Sequence, residues 1–235
     1  ITAFKKAVPG ASAVICNHVS NVFGFILPIN EIAELCSEYN VPLIIDASQS
    51  AGVLPLDWEK LKPAFMAMPG HKGLLGPQGT GVLICGNDPS PILFGGTGSD
   101  SKNQDMPDYL PDMLEAGTHN VVGIAGLAEG IRYVLRHGAD NIGEYEKRHC
   151  RHMAEVLSKN EKTEVFASDR GNQAGVLSLR HKELSAEAIC EALAEHGIAA
   201  RCGLHCAPLA HESAGTFPDG TVRVSPGAFS TVRDC

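Results

Sequence analysis

The sequence predicts an α/β fold in two parts, a piece of a large parallel sheet followed by a smaller C-terminal α/β unit. In the first half, short apolar runs flank a segment of helical periodicity, and the order strand, helix, strand implies a right-handed crossover between parallel neighbours. From about residue 121 the pattern changes to two long helices, and then to short strand candidates around one further helix. With 235 residues, 44% of them hydrophobic and 20% charged, the chain has the composition to bury at least one sizeable core.

Residues 13–18 (AVICNH) read as a buried strand. Ile29, Ile32, Ala33, Cys36 and Tyr39 then recur on one helical face, and residues 41–46 (VPLIID) form a second apolar run. Ligands of parallel sheets collect at the carboxyl ends of the strands, which is where Asp46 falls. A third strand at 64–68 (AFMAM) runs into the turn Pro69, Gly70, His71, Lys72. The glycine-rich stretch from Gly73 to Gly81 leads into a further strand, VLIC. The prolines and acids of DMPDYLPDM place the boundary near 110–120, dividing the chain into residues 1–115 and 116–235.

Beyond that boundary Ile124, Leu127, Ile131 and Val134 share one face of a helix, with Gly138 as its C-cap. A second helix covers about 142–157. Strand candidates at 163–167 and 174–180 follow, then a helix from Ser185 to His196 stopped by Gly197, then strand candidates at 198–202 and 221–225.

The net charge of −8 argues against a nucleic-acid footprint and for a small-molecule partner. No run of about 18 apolar residues occurs, and the opening ITAFKK lacks the order of a signal peptide. Most of the eight cysteines lie in apolar segments, which fits thiols packed in a reducing compartment. A soluble, cytoplasmic protein with no membrane or nucleic-acid partner is therefore expected.

A pyridoxal-phosphate site needs an amine for the Schiff base, a carboxylate against the pyridinium nitrogen and donors for the phosphate. Asp46 and Lys72 each end a predicted parallel strand, so both can face one crevice. Six segments, in order, are NHVSNVFG (17–24), DASQSAG (46–52), GHKGLLGPQGTG (70–81), EAGTHN (115–120), RCGLHCAP (201–208) and TVRVS (221–225). Together they resemble the signature blocks of the class V aminotransferases, pyridoxal-phosphate enzymes of fold type I, and within them the cysteine desulfurases and selenocysteine lyases.

That resemblance implies a role for each matching residue. Lys72 would hold pyridoxal 5'-phosphate, Asp46 would keep its ring nitrogen protonated, Gln49 would bond the ring hydroxyl oxygen, and His71 would touch the phosphate. Asn21 would contact the substrate or the ring edge. Thr118 would reach the phosphate of a neighbouring subunit's cofactor, which implies a homodimer with shared sites. Arg223 matches the arginine for the substrate carboxylate, and Arg201 opens the cysteine loop; a guanidinium suits a carboxylate because its planar fork makes two bonds.

Cys206 matches the sulfur-accepting cysteine, whose persulfide would pass to an acceptor protein. His205 and the arginines are expected to favour its thiolate, and the polar stretch from His211 to Gly220 to lend the loop mobility. Cys202, in a strand, reads as packing, as do Cys85 and Cys190. The sequence departs from the family at Pro69, where many members have a small or hydroxyl residue, and at Leu204, where desulfurases of this group often have a second histidine. Family members also carry a long N-terminal segment that supplies the ring stacked on the cofactor. None precedes Ile1, so the chain is expected to be a part of such an enzyme.

The substrate is then cysteine or selenocysteine, with transaminase or epimerase chemistry as the family's alternatives. Cys202, His205, Cys206 and His211 have ligand chemistry at close spacing and define a rival zinc reading, although the spacing matches no common structural pattern. His149 and His152 lack a third ligand on their helix. The glycine-rich stretch lacks the Gly-Lys-Ser/Thr ending of a nucleotide loop and precedes a strand. An inactive structural or dimerising piece is the remaining alternative.

Overall fold

The computed structural model describes residues 1–98, 100–168 and 170–235. Two four-stranded sheets organise the chain. In the first, β1 (Val14–Asn17), β2 (Leu43–Asp46) and β3 (Phe65–Pro69) are parallel neighbours, and β4 (Gly81–Cys85) closes the edge antiparallel to β3. Helix α1 (Thr2–Ala7) precedes β1, α2 (Ile29–Glu38) forms the crossover from β1 to β2, and the short α3 (Trp58–Leu61) comes before β3.

The core lies on one face of this sheet. Val14, Cys16, Leu43, Ile45 and Met66 point into it, and Ile29, Ile32, Ala33 and Cys36 of α2 meet them at helical spacing. β1 is buried only at alternate positions, not throughout as its apolar run suggested, and Ile15 on the other face is 73% exposed. Alternate strand residues face opposite ways, and the helices packed here cover one side. Tyr39 also departs from expectation: it caps α2 and is exposed, because Asn40 turns the chain with φ 52°.

After an extended connection, α4 (Val121–His137) and α5 (Ala139–Leu157) meet at Gly138, which caps both. Leu127 and Ile131 of α4 pack into the first core, while Val134 and Ile142 join Val19, Val53 and Leu54 in a second cluster. The second sheet, in the order β5-β6-β8-β7, is antiparallel throughout and contains β5 (Thr163–Phe166), β6 (Leu177–His181), β7 (Arg201–Gly203) and β8 (Thr221–Val224). α6 (Ala186–Glu195) connects β6 to β7.

Between β7 and β8 lies α7 (Pro208–Ala214), where a mobile polar stretch was expected. Pro208 begins it with a fixed φ suited to a first turn. His211 is fully buried, 5.8 Å from the Phe23 ring by centroid, and its Nδ1 lies 2.7 Å from Thr216 Oγ1. A polar run thus became a docked helix because its histidine found both a ring and a hydroxyl. Among the described residues, no helix is long and apolar enough to cross a membrane.

Candidate active site

The carboxyl ends of the parallel strands set the site. Asn17 and Asp46 are register partners at the ends of β1 and β2, and the Lys72 turn follows β3. Two glycines bring that turn close: a Cβ on Gly52 would stand 2.2 Å from the Gly73 carbonyl oxygen, and one on Gly73 would stand 2.3 Å from that of Ala51. Gly52 also has φ +84°, a left-handed conformation that glycine adopts readily. The turn after Asp46 and the turn carrying Lys72 therefore press backbone to backbone, as side chains at these positions would forbid.

A cleft of about 420 Å³ results, lined by Asn17, Asn21, Asp46, Gln49 and Lys72 with Ser48 and the flank of α7. The Ser48 backbone N–H donates to Asp46 Oδ1 at 2.8 Å and fixes that carboxylate. Four expected site residues, Asn21, Asp46, Gln49 and Lys72, are thus brought together. His71 is exposed beside Lys72 and does not line the cleft. Thr118 lies elsewhere, in a separate cleft of about 410 Å³ with Gly96, Thr97, Gly98 and His119.

The cysteine turn borders the Lys72 cleft through Ala207 and Ala210. Asn21 Nδ2 donates to the His205 carbonyl at 2.7 Å, and Arg223 Nη1 donates to the Asn21 carbonyl at 2.8 Å. His205 and Cys206 both have positive φ, 50° and 62°, a region where a side-chain-bearing residue is strained. Cys206 is exposed, and Arg201 Nη2 lies 3.9 Å from its Sγ. Arg201 and Arg223 are register partners on β7 and β8. Burial and the neighbouring Arg201 lower the Arg223 pKa, while Cys206 acts in the opposite sense. Arg223 Nε is buried and has no acceptor. Two guanidiniums side by side, one with an unspent donor, make a local site for an anion.

His205 departs from the role expected of it. Its ring is buried, with Nε2 3.1 Å from the Thr221 carbonyl oxygen, and burial, with Arg223 nearby, pushes its pKa down to about 4. It is neutral at ordinary pH and contributes no positive charge beside Cys206.

Cys202 and Cys190 are part-buried in β7 and α6, and Cys85 in β4, as packing residues would be. Among the described residues no group of three or more His, Cys, Asp or Glu side chains is placed to hold a metal ion. His149 is buried against Tyr145, whereas His152 on the same helix is exposed. Asn17 and Ser48 were missed as lining residues; Asn17 was recoverable, because it ends the strand beside Asp46. Thr221 and Ser178, buried hydroxyls in apolar strands, carried no signal of their own.

The family model for class-V aminotransferases matches residues 2–235. The chain is 33% identical to a probable cysteine desulfurase of Pyrococcus abyssi over 98% of its own length and 58% of that protein's. It is 34% identical to a probable cysteine desulfurase of Staphylococcus aureus strain Mu50 over 81% of its length and 47% of that protein's. Among solved structures, the apo cysteine desulfurase of Thermococcus onnurineus NA1 superposes with a TM-score of 0.90 at 31% identity, over 99% of this chain and 59% of that one. The Escherichia coli cysteine desulfurase CsdA, in an S-sulfonic acid form, gives 0.85 at 25% identity over 96% and 57%. The chain therefore spans somewhat more than half the length of most of these relatives.

Proposed function

The chain belongs to the class-V aminotransferase family, and from that premise we propose that it carries the lysine and the cysteine of a pyridoxal-phosphate-dependent cysteine desulfurase, which takes sulfur from L-cysteine to give alanine and a persulfide on Cys206. The observation that carries this reading is the 2.7 Å bond from Asn21, which lines the Lys72 cleft, to the His205 carbonyl next to Cys206. It ties a cofactor-type cleft to an exposed thiol flanked by arginines.

The side chains of the cleft fit the cofactor: an amine, a fixed carboxylate and a carboxamide line one space. Lys72 would hold it, Asp46 would meet its ring nitrogen and Gln49 its ring hydroxyl oxygen, while His71, exposed beside Lys72 and outside the cleft lining, would reach in to its phosphate. Pyridoxal phosphate bound there supplies an electron sink that weakens the bond from the substrate's β-carbon to sulfur. Arg223, with its unspent Nε, binds the substrate carboxylate alongside Arg201, and Asn21 orients the amino acid between them and the cleft. Cys206 attacks as the thiolate. One S–S bond forms as one C–S bond breaks; the electron pair of the broken bond stays with the three-carbon product, which takes up a proton to leave as alanine.

Thr118 serves a second copy in this reading. Val121 lines its separate cleft, and Val122 and the segment Ile92, Leu93, Phe94, which leads to Gly96 of that cleft, are likewise strongly exposed and apolar, features suited to a homodimer with shared sites. Cys206, open to solvent, can pass its extra sulfur to an acceptor protein. Eight free thiols fit the reducing conditions of the cytoplasm.

The test is mass spectrometry of the Cys206 peptide after the cofactor-loaded protein meets cysteine. One added sulfur is expected, lost in Cys206→Ala together with alanine formation. An unmodified peptide, with alanine released equally fast by the variant, would remove the desulfurase reading.

A further inference from the structure

His205 is 4% exposed, and its imidazole lies against Thr221 of the second sheet. Nε2 lies 3.1 Å from the Thr221 carbonyl oxygen and 3.3 Å from Thr221 Oγ1. A carbonyl only accepts, so Nε2 carries the proton and Nδ1 is the bare nitrogen of a neutral ring. Nδ1 is itself buried and unpartnered. Charging the ring would create a second N–H there with nothing to receive it, among Arg223, Arg201 and the neighbouring His211 ring. An acid–base residue needs a nitrogen that can exchange its proton with the reactants, and neither nitrogen of His205 is so placed.

The hydrogen bonds leaving His205 return to it. Thr221 Oγ1 donates to Ser178 Oγ at 3.3 Å, and Ser178 Oγ donates to the Val22 carbonyl at 2.6 Å. Asn21, one residue earlier, donates its side-chain amide to the His205 carbonyl. The circuit thus runs from the His205 ring through two fully buried hydroxyls to the segment 21–22, and back to the His205 backbone. Buried networks of this kind fix a conformation when each member is satisfied. The conformation fixed here is two consecutive left-handed residues, which persist only where the surroundings over-determine them.

We propose that His205 is a positioning residue, whose ring closes this circuit and thereby holds the turn that presents Cys206 to Arg201 and to the Lys72 cleft. The inference rests on the reading of Cys206 as the sulfur acceptor and gives the adjacent histidine a task other than proton transfer.

Comparing His205→Gln with His205→Leu separates the two tasks. Glutamine can place an amide N–H near the position of Nε2 yet cannot carry a proton to or from a reactant near neutral pH; leucine fills the space and donates nothing. The first readout, independent of activity, is hydrogen exchange at the Ala207 amide, which donates to the Leu204 carbonyl at 2.9 Å within the turn. The second is the rate of sulfur addition to Cys206 in cofactor-loaded protein.

The Gln variant is expected within about twofold of the parent on both readouts, and the Leu variant roughly tenfold faster in exchange and tenfold slower in sulfur addition, the scale of one lost hydrogen bond. A Gln variant as slow in sulfur addition as the Leu variant would overturn the proposal and restore proton transfer. Parent-like exchange in both variants would overturn it as well. Should His205→Leu fail to fold, Thr221→Val removes one hydroxyl at nearly constant shape; faster Ala207 exchange supports the proposal and unchanged exchange defeats it. If the parent itself never acquires sulfur on Cys206, the desulfurase reading fails while the exchange comparison still decides the role of His205.

Discussion

Arg201 and Arg223 stand directly opposite each other on neighbouring antiparallel strands, with the Cys206 sulfur 3.9 Å from the first and an unspent Nε on the second. Like charges in register weaken a sheet. The pair joins the Lys72 cleft through the bond from Arg223 to the Asn21 carbonyl, and two guanidiniums there suit an anion, either a carboxylate or a thiolate.

Replacing Arg201 with Gln should therefore stabilise the folded chain, by about 0.5 kcal/mol on the scale of cross-strand pairs, while slowing sulfur addition to Cys206. Denaturant unfolding at low salt measures the first effect. A clear loss of stability would show that the pair is not repulsive in its surroundings.

For Arg223, the Lys substitution keeps the charge and loses the two-bond geometry. The KM for cysteine should rise by roughly tenfold or more with cofactor loading unchanged, because a point charge cannot replace the fork. Parent-like kinetics would take the carboxylate away from Arg223.

Lys72 is exposed at the cleft and is the lysine expected to react with pyridoxal phosphate. Borohydride reduction of the loaded protein, followed by peptide mapping, should place the pyridoxyl group on Lys72, and Lys72→Ala should abolish the visible absorbance of the bound cofactor. Label on another lysine would contradict the assignment.

Glu146 on α5 is buried, and burial pushes its pKa up to about 7. A carboxylate raised in the fold contributes stability that is present below its unfolded value near 4.5 and is lost as pH rises through about 7. Glu146→Gln removes that loss, so it should raise the stability at pH 8 by roughly 1–3 kcal/mol and change it little at pH 4.5. An equal effect at both pH values would point to packing against Gly175 and not to ionisation.

His205 works in the opposite sense. Its pKa falls from 6.5 to about 4 in the fold, so its contribution is complete above 6.5 and is lost as pH falls toward 4, where the unfolded chain binds the proton first. His18 and His211, also lowered by burial, add to the same slope. Urea unfolding between pH 7.5 and 4.5 should show a shallower acid slope in His205→Gln than in the parent, with Glu146 cancelling between them. Equal slopes would mean that His205 is already charged in the fold.

The sequence by itself determined the crossover from β1 to β2, the ends of the strands at Asp46 and before Lys72, and the helical faces of α2 and α4 apart from Tyr39 and Ile124, which are exposed. Each of these is local: apolar spacing marks a buried face, and glycine marks a turn or a close approach. The same locality made Asp46 and Lys72 readable as neighbours of one crevice at the strand ends, whereas Asn21 and Gln49 joined them only through the resemblance of their motif blocks to the family's. Only the tertiary structure decided which way each side chain turned. Cys206 and His205 are adjacent in the chain and both left-handed, yet one is exposed beside Arg201 and the other is buried against Thr221 of the second sheet. Likewise the polar stretch after Pro208 became a helix once His211 met Phe23 and Thr216. Burial and hydrogen-bond closure depend on partners as far away as Val22 and Ser178, and no local pattern encodes the distance between them.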